Sequence, residues 1–237
     1  SAVYDSPAKR EVYRRAIGAS PASVAFNGRG YDLDGLGGIV VYELGFFALL
    51  LIPVIAIHLA VRLSRTEEDL GRADLVTAAP VGRLAPLGAA ALVVAATLTT
   101  AGWLSWAGLV WAGLDRAGSG RYALILTLFL LACATLGLAA AQVGASSRGA
   151  YALAVGALVL TYLVRGVIDG QSLDGAWLTP MGWLAEVRPY GDWQLWPFAL
   201  MAALSVALLA GAVAVRTHRD LGGGLLAARS GPATASP

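Results

Sequence analysis

The chain has 237 residues, 57% of them hydrophobic and only 14% charged, with a formal net charge of +2 and a mean hydropathy of +0.67. Soluble domains carry about 25% charged residues, and so small a net charge spread over scattered basic side chains gives no footprint for nucleic acid. A single cysteine, Cys133, excludes an intrachain disulfide and a thiolate metal cluster. Lying mid-run in Leu-Ala-Cys-Ala-Thr, it reads as a small buried hydrophobe. Lys9 is the one lysine among seventeen basic residues, a bias that with the abundant Ala and Gly suggests a GC-rich bacterial genome.

In chain order, residues 1–34 are polar. They open on Ser with no apolar h-region, so no signal peptide is visible. Ser6-Pro7 predicts an N-cap and first turn, a basic helix follows to a stop at Gly18, and Ser20-Pro21 predicts a second start. Five apolar runs then approach or reach the roughly 20 residues that cross a bilayer: 39–63, 84–114, 122–144, 150–167 and 195–216. They predict an all-α membrane protein of five spanning helices. Pro53 predicts a kink in the first. Between the third and fourth only Ser146-Ser-Arg-Gly149 intervenes, so these two are antiparallel neighbours. Residues 168–196 mix Asp169, Asp174, Glu186 and Asp192 with Trp177, Trp183, Trp193 and Trp196, which suits an interfacial or partly re-entrant segment. A Gly/Ala/Pro-rich stretch at 217–237 reads as a linker or tail.

Between the first two runs, residues 62–83 hold eight charges and must project into water. Leu70, Leu75 and Val76 fall on one side of a short helix, with Glu67, Glu68, Asp69 and Asp74 around them, and Pro80 ends it. An amphipathic surface helix of this kind is suited to docking a partner. Counting Lys and Arg, the side bearing this segment holds eight and the other nine, or four without residues 1–34, so the positive-inside rule alone does not decide the orientation. All seven tryptophans fall toward the opposite side, an aromatic belt that favours a cytoplasmic 62–83 segment.

Candidate chemistry is sparse. The chain has no Gly-x-x-x-x-Gly-Lys-Ser/Thr phosphate loop, so ATP hydrolysis would belong to a partner. Glu67-Glu68-Asp-Leu-Gly-Arg72 fits the Glu-Glu-x-x-x-Arg pattern of CAAX-type intramembrane metalloproteases. That chemistry needs metal-binding histidines, and only His58 and His218 are present. A rhomboid-type Ser–His pair finds only the loop serines of Gly144-Ala-Ser-Ser147. Glu43, the one acid within a run, is either an interfacial carboxylate or part of a translocation path. Arg165, near the end of the fourth run, is expected to snorkel to the headgroups.

The stretch Arg65-Thr-Glu-Glu-Asp-Leu-Gly-Arg-Ala-Asp-Leu-Val-Thr-Ala-Ala-Pro-Val-Gly-Arg83 resembles the connector of ABC transporter permeases of the polyketide-antibiotic exporter class from high-GC Gram-positive bacteria. Trp177-Leu-Thr-Pro-Met-Gly-Trp183, Val187-Arg-Pro189 and Arg219-Asp-Leu-Gly-Gly-Gly-Leu-Leu resemble the same family. The resemblance implies the first half of a permease without its first membrane helix, with residues 1–34 in an extracellular loop, a permease domain over 35–216 and a cytoplasmic tail over 217–237. It implies a coupling helix at 65–79 docked on a cytoplasmic ABC ATPase subunit, with Glu67, Glu68, Asp69, Arg72 and Asp74 as contacts. It further implies a second permease half or copy, a hydrophobic or amphipathic drug as substrate, and no cofactor on this chain, ATP and Mg being held by the ATPase. The alternatives are a CAAX-type intramembrane metalloprotease, on the Glu-Glu-x-x-x-Arg match alone, and a protein that anchors a partner without transporting.

Overall fold

The computed structural model describes residues 4, 6–18, 20–72 and 82–218, and no strand occurs among them. Short helices α1 (Pro7–Tyr13), α2 (Pro21–Asn27) and α3 (Leu36–Glu43) come first. Five long ones follow: α4 (Phe47–Asp69), α5 (Ala85–Trp111), α6 (Arg116–Val143), α7 (Ser147–Gly170) and α9 (Trp196–His218). Between the last two lies α8 (Pro180–Glu186), preceded by a single 3-10 turn at Ala176–Leu178. The five long helices are each long and apolar enough to cross a membrane, so the chain has the all-α membrane architecture its sequence predicts.

The central helix is α6. It packs against α4, α5, α7 and α9, and 72% of its most apolar stretch is buried, against 39% or less in the other four. Its sequence explains the position. Ala132, Ala134, Gly137, Ala140 and Ala141 are small and buried there, and small side chains let helix backbones approach closely, which drives packing where lipid removes the usual hydrophobic gain. Leu92, Leu104, Leu160 and Val206, on the surrounding helices, remain exposed at the bundle's surface.

Three boundaries differ from the sequence reading, each for a physical reason. The run 39–63 is not one span. Helix α3 ends at Glu43, Leu44 forms a turn with ψ −7°, and the spanning helix begins at Phe47. Pro53 is absorbed by a π-turn at Phe47–Leu51, in which the amide of Ile52 donates to the Phe47 carbonyl; the wider turn accommodates a residue that has no N–H to give. At its other end α4 runs on through the charged residues to Asp69, because those charges find partners inside the protein. The predicted helix at 65–79 therefore does not start at Arg65. Gly71, at φ +69°, ends α4, and its N–H donates to the Glu68 carbonyl at 2.9 Å. Residues 73–79, with Asp74, lie outside the described residues, as does 219–237 of the predicted tail. Finally, α6 starts six residues before its apolar run, because the Asp115 carboxylate caps it by accepting from Gly118 N at 2.7 Å.

The polar N-terminal stretch folds onto one end of the bundle. Ser6 caps α1 and Pro21 opens α2, as the Ser-Pro pairs predict. Tyr13, Leu33, Ile39 and Tyr42 make a small core of their own. Helix α2 lies on α7 where Gly166 and Gly170 face it: a Cβ at Gly166 would come 3.1 Å from the Ala25 carbonyl oxygen, and one at Gly170 the same distance from the Ala25 Cβ.

Candidate coupling site

The polar end of α4 is locked rather than free. Arg65, 2% exposed, sends Nε to Asp69 Oδ1 at 3.0 Å and Nη1 to Glu68 Oε2 at 3.2 Å. Its Nη2 donates to the Ala145 carbonyl in the loop between α6 and α7. The other Glu68 oxygen accepts from Arg216 Nη1, near the end of α9, and Arg216 Nε reaches the Arg83 carbonyl at 3.4 Å. Asp69 Oδ2 accepts the backbone N–H of Ser147 at 2.6 Å. That bond puts a carboxylate on the first turn of α7, where helix dipole and unpaired amides both favour an anion.

Two cations and two anions thus tie together α4, α7, α9, the α6–α7 loop and the approach to α5. The grouping is neutral, and removing one partner would strand a buried charge, at a cost of roughly 3–5 kcal/mol. It also fixes both ends of the connector between α4 and α5, at Glu68 and Asp69 on one side and Arg83 on the other.

Of the five residues predicted to dock a partner, the structure separates two kinds. Glu68 and Asp69 turn inward to Arg65, Arg216 and α7. Glu67 and Arg72 lie outward and pair with each other at 3.1 Å, with 35% and 61% of their side chains exposed. Asp74 is outside the described residues. Glu43 sits at the opposite end, on the last residue of α3 and outside the α4 span, where its carboxylate accepts from the Tyr13 hydroxyl. The two arginines of the grouping, Arg65 and Arg216, were missed as site residues. Arg216 shows in the sequence only as the first charge after an apolar run.

His58 Nδ1 lies 2.8 Å from the Tyr151 hydroxyl, and His218 is exposed at the end of α9. Among the described residues no three His, Cys, Asp or Glu side chains come together in a way that could hold a metal.

The opposite end carries a third buried cation, Arg165, and here the sequence reading is corrected. Arg165 does not snorkel; it is fully buried. Its Nη1 donates to Asp169 Oδ2 at 3.3 Å and to the Val24 carbonyl at 3.2 Å, and its Nη2 to the Ala25 and Phe26 carbonyls at 2.8 and 3.2 Å. Those carbonyls belong to the last turn of α2, whose dipole favours a cation. Arg29 Nε adds a bond to Asp169 Oδ1 at 3.0 Å. The signal was present in the sequence, since Arg165 and Asp169 are opposite charges four residues apart in an apolar helix. All the tryptophans gather toward this end. Trp106 Nε1 donates to the Arg116 carbonyl at 3.3 Å, Trp183 donates to the Trp177 carbonyl, and Arg121 stacks 4.9 Å from the Trp193 ring.

No family model matches the chain. Against curated proteins, 235 residues, 99% of the chain, align at 33% identity with the multidrug efflux system permease protein Rv1217c of Mycobacterium tuberculosis. The chain is similar to an efflux permease. The match spans 42% of that protein's length. It agrees with the exporter-permease resemblance carried by residues 65–83 and 177–189, and with five apolar helices it identifies a multi-pass membrane protein.

Proposed function

We propose that the chain is a membrane-spanning part of an ATP-driven ABC exporter of the bacterial cell membrane, moving hydrophobic or amphipathic small molecules outward. The observation that carries this reading is the similarity to an efflux permease along 99% of the chain, joined to a connector held at one end by buried ion pairs and at the other by a hydrogen bond from Arg216 to the Arg83 carbonyl. In this account the α4–α5 connector faces the cytoplasm and docks on a separate ATPase subunit that binds ATP and Mg. Glu67 and Arg72, outward-facing, and Asp74 make the contact. Glu68 and Asp69 act behind them, holding the connector to α7 and α9 so that its displacement moves three helices together. A second permease half or copy completes the pathway, and the tryptophan end faces outward.

The metalloprotease reading gains nothing, because Glu67 and Glu68 are each engaged by an arginine and His58 by Tyr151. The test is copurification with an ABC ATPase subunit. Reversing the outward pair by Glu67→Arg with Arg72→Glu keeps their mutual attraction but inverts what a partner meets. Such a protein is expected to reach the membrane normally and to retain severalfold less ATPase. Undiminished retention together with normal export would refute the contact.

A further inference from the structure

Between α5 and α6, at the tryptophan end, lies a cleft of about 520 Å³, within the range of small-molecule and lipid sites. The two helices touch at its floor and are spanned by an indole above. At the contact, a Cβ on Gly102 would fall 2.0 Å from Thr127 Oγ1. One turn up, Trp106 stands over the backbone of Gly120, whose Cβ would be 3.7 Å from the indole. Trp103 meets Trp106 edge-on, with ring centroids 5.5 Å apart. The open side is apolar, formed by the exposed Trp103 and Leu124.

The mouth is cationic. Arg116, the first residue of α6, places its guanidinium 5.2 Å from the Trp106 ring centroid. No described acid forms an ion pair with it; its neighbour Asp115 uses its carboxylate on Gly118 N. The positive end of the α6 dipole adds to the same field. An exposed cation flanked by tryptophan and leading into an exposed apolar slot complements the shape and polarity of an acidic lipid.

We propose that this cleft binds an anionic phospholipid from the leaflet on the tryptophan side, with the phosphate on Arg116 and one acyl chain lying between α5 and α6 over Trp103 and Leu124. The site is independent of the coupling end, and only the cargo arm of its test rests on the transport reading.

The experiment uses the full-length protein, reconstituted in vesicles of equal parts phosphatidylglycerol and phosphatidylcholine, extracted gently and weighed by native mass spectrometry. Wild type is expected to retain one phosphatidylglycerol in preference to phosphatidylcholine by about fivefold, the size expected of one arginine facing an anionic surface. Arg116→Gln is expected to abolish the preference. Arg121→Gln, whose arginine stacks on Trp193 outside the cleft, is expected to keep it. Thr99→Phe, which fills the slot from its exposed wall, is expected to lower retention of both lipids. Equal retention of the two lipids by wild type, or an unchanged preference in Arg116→Gln, overturns the proposal. So does displacement of the retained lipid by an acidic amphipathic drug that the transporter also exports, which would make the cleft a cargo site.

Discussion

Single side chains carry the account at the two polar ends. At the connector, Arg216 is 4% exposed and meets the Glu68 carboxylate from one side, while Arg65 meets the same carboxylate from the other. Truncating Arg216 to Met leaves Glu68 with one cation instead of two, and the expected loss is roughly 3–5 kcal/mol. Thermal unfolding in detergent would show it as a lowered midpoint. The double variant Arg216→Met with Glu68→Gln is expected to recover part of the loss, because the two residues share one interaction and their effects do not add. At the opposite end Asp32 sits at φ +56°. Burial pushes its carboxyl above the ordinary value; Arg188 opposes the shift, and Asp192 and Asp34 add to it. A carboxyl raised in the folded state favours folding while protonated. The cap around it is therefore expected to gain stability as pH falls toward the ordinary carboxylate range, and to lose that gain as pH rises through the raised folded value. Asp32→Asn keeps a residue that tolerates the left-handed backbone and is expected to flatten the dependence. Hydrogen exchange of residues 30–43 across pH reads this directly, and an unchanged slope in the variant would contradict the assignment.

At the scale of elements, the spanning helices were legible because runs of apolar residues near bilayer length have few other uses. Their ends were less so. Helix α4 passes beyond its apolar run because Arg65 pairs within the helix with Glu68 and Asp69 and the remaining negative charge is met by Arg216, 148 residues from Glu68. No local pattern announces such a pairing. The α1 and α2 starts were legible from Ser6-Pro7 and Ser20-Pro21, since a side-chain cap at Ser6 and a proline in the first turn of each helix are local devices. For Arg165 only its pairing with Asp169 was legible; its full burial depends on α2 docking its C-terminal carbonyls over that position. Close approach of α5 to α6 makes a further prediction. Gly102→Val forces a side chain into the space held by Thr127 Oγ1, and overpacking of this kind costs about 1–3 kcal/mol. A lowered unfolding midpoint is expected for Gly102→Val and little change for Gly108→Val, since Gly108 has no neighbour within 4 Å.

At the scale of the molecule, α6 gathers the bundle while polar clusters fasten its two ends. One cluster joins α4, α7 and α9 beside the α4–α5 connector; the other clips the cap onto α7. In this arrangement a push on the connector is delivered to three helices at once through Arg65, Glu68, Asp69 and Arg216, and the central claim is that an ATPase supplies that push. Cysteine crosslinking in the assembled transporter tests it most directly. With Cys133 replaced by Ala, a cysteine at Arg72 is expected to crosslink to the ATPase subunit, and one at Trp111, on the tryptophan end, to give none. A crosslink from Trp111, or none from Arg72 in a complex that still exports, would contradict the account.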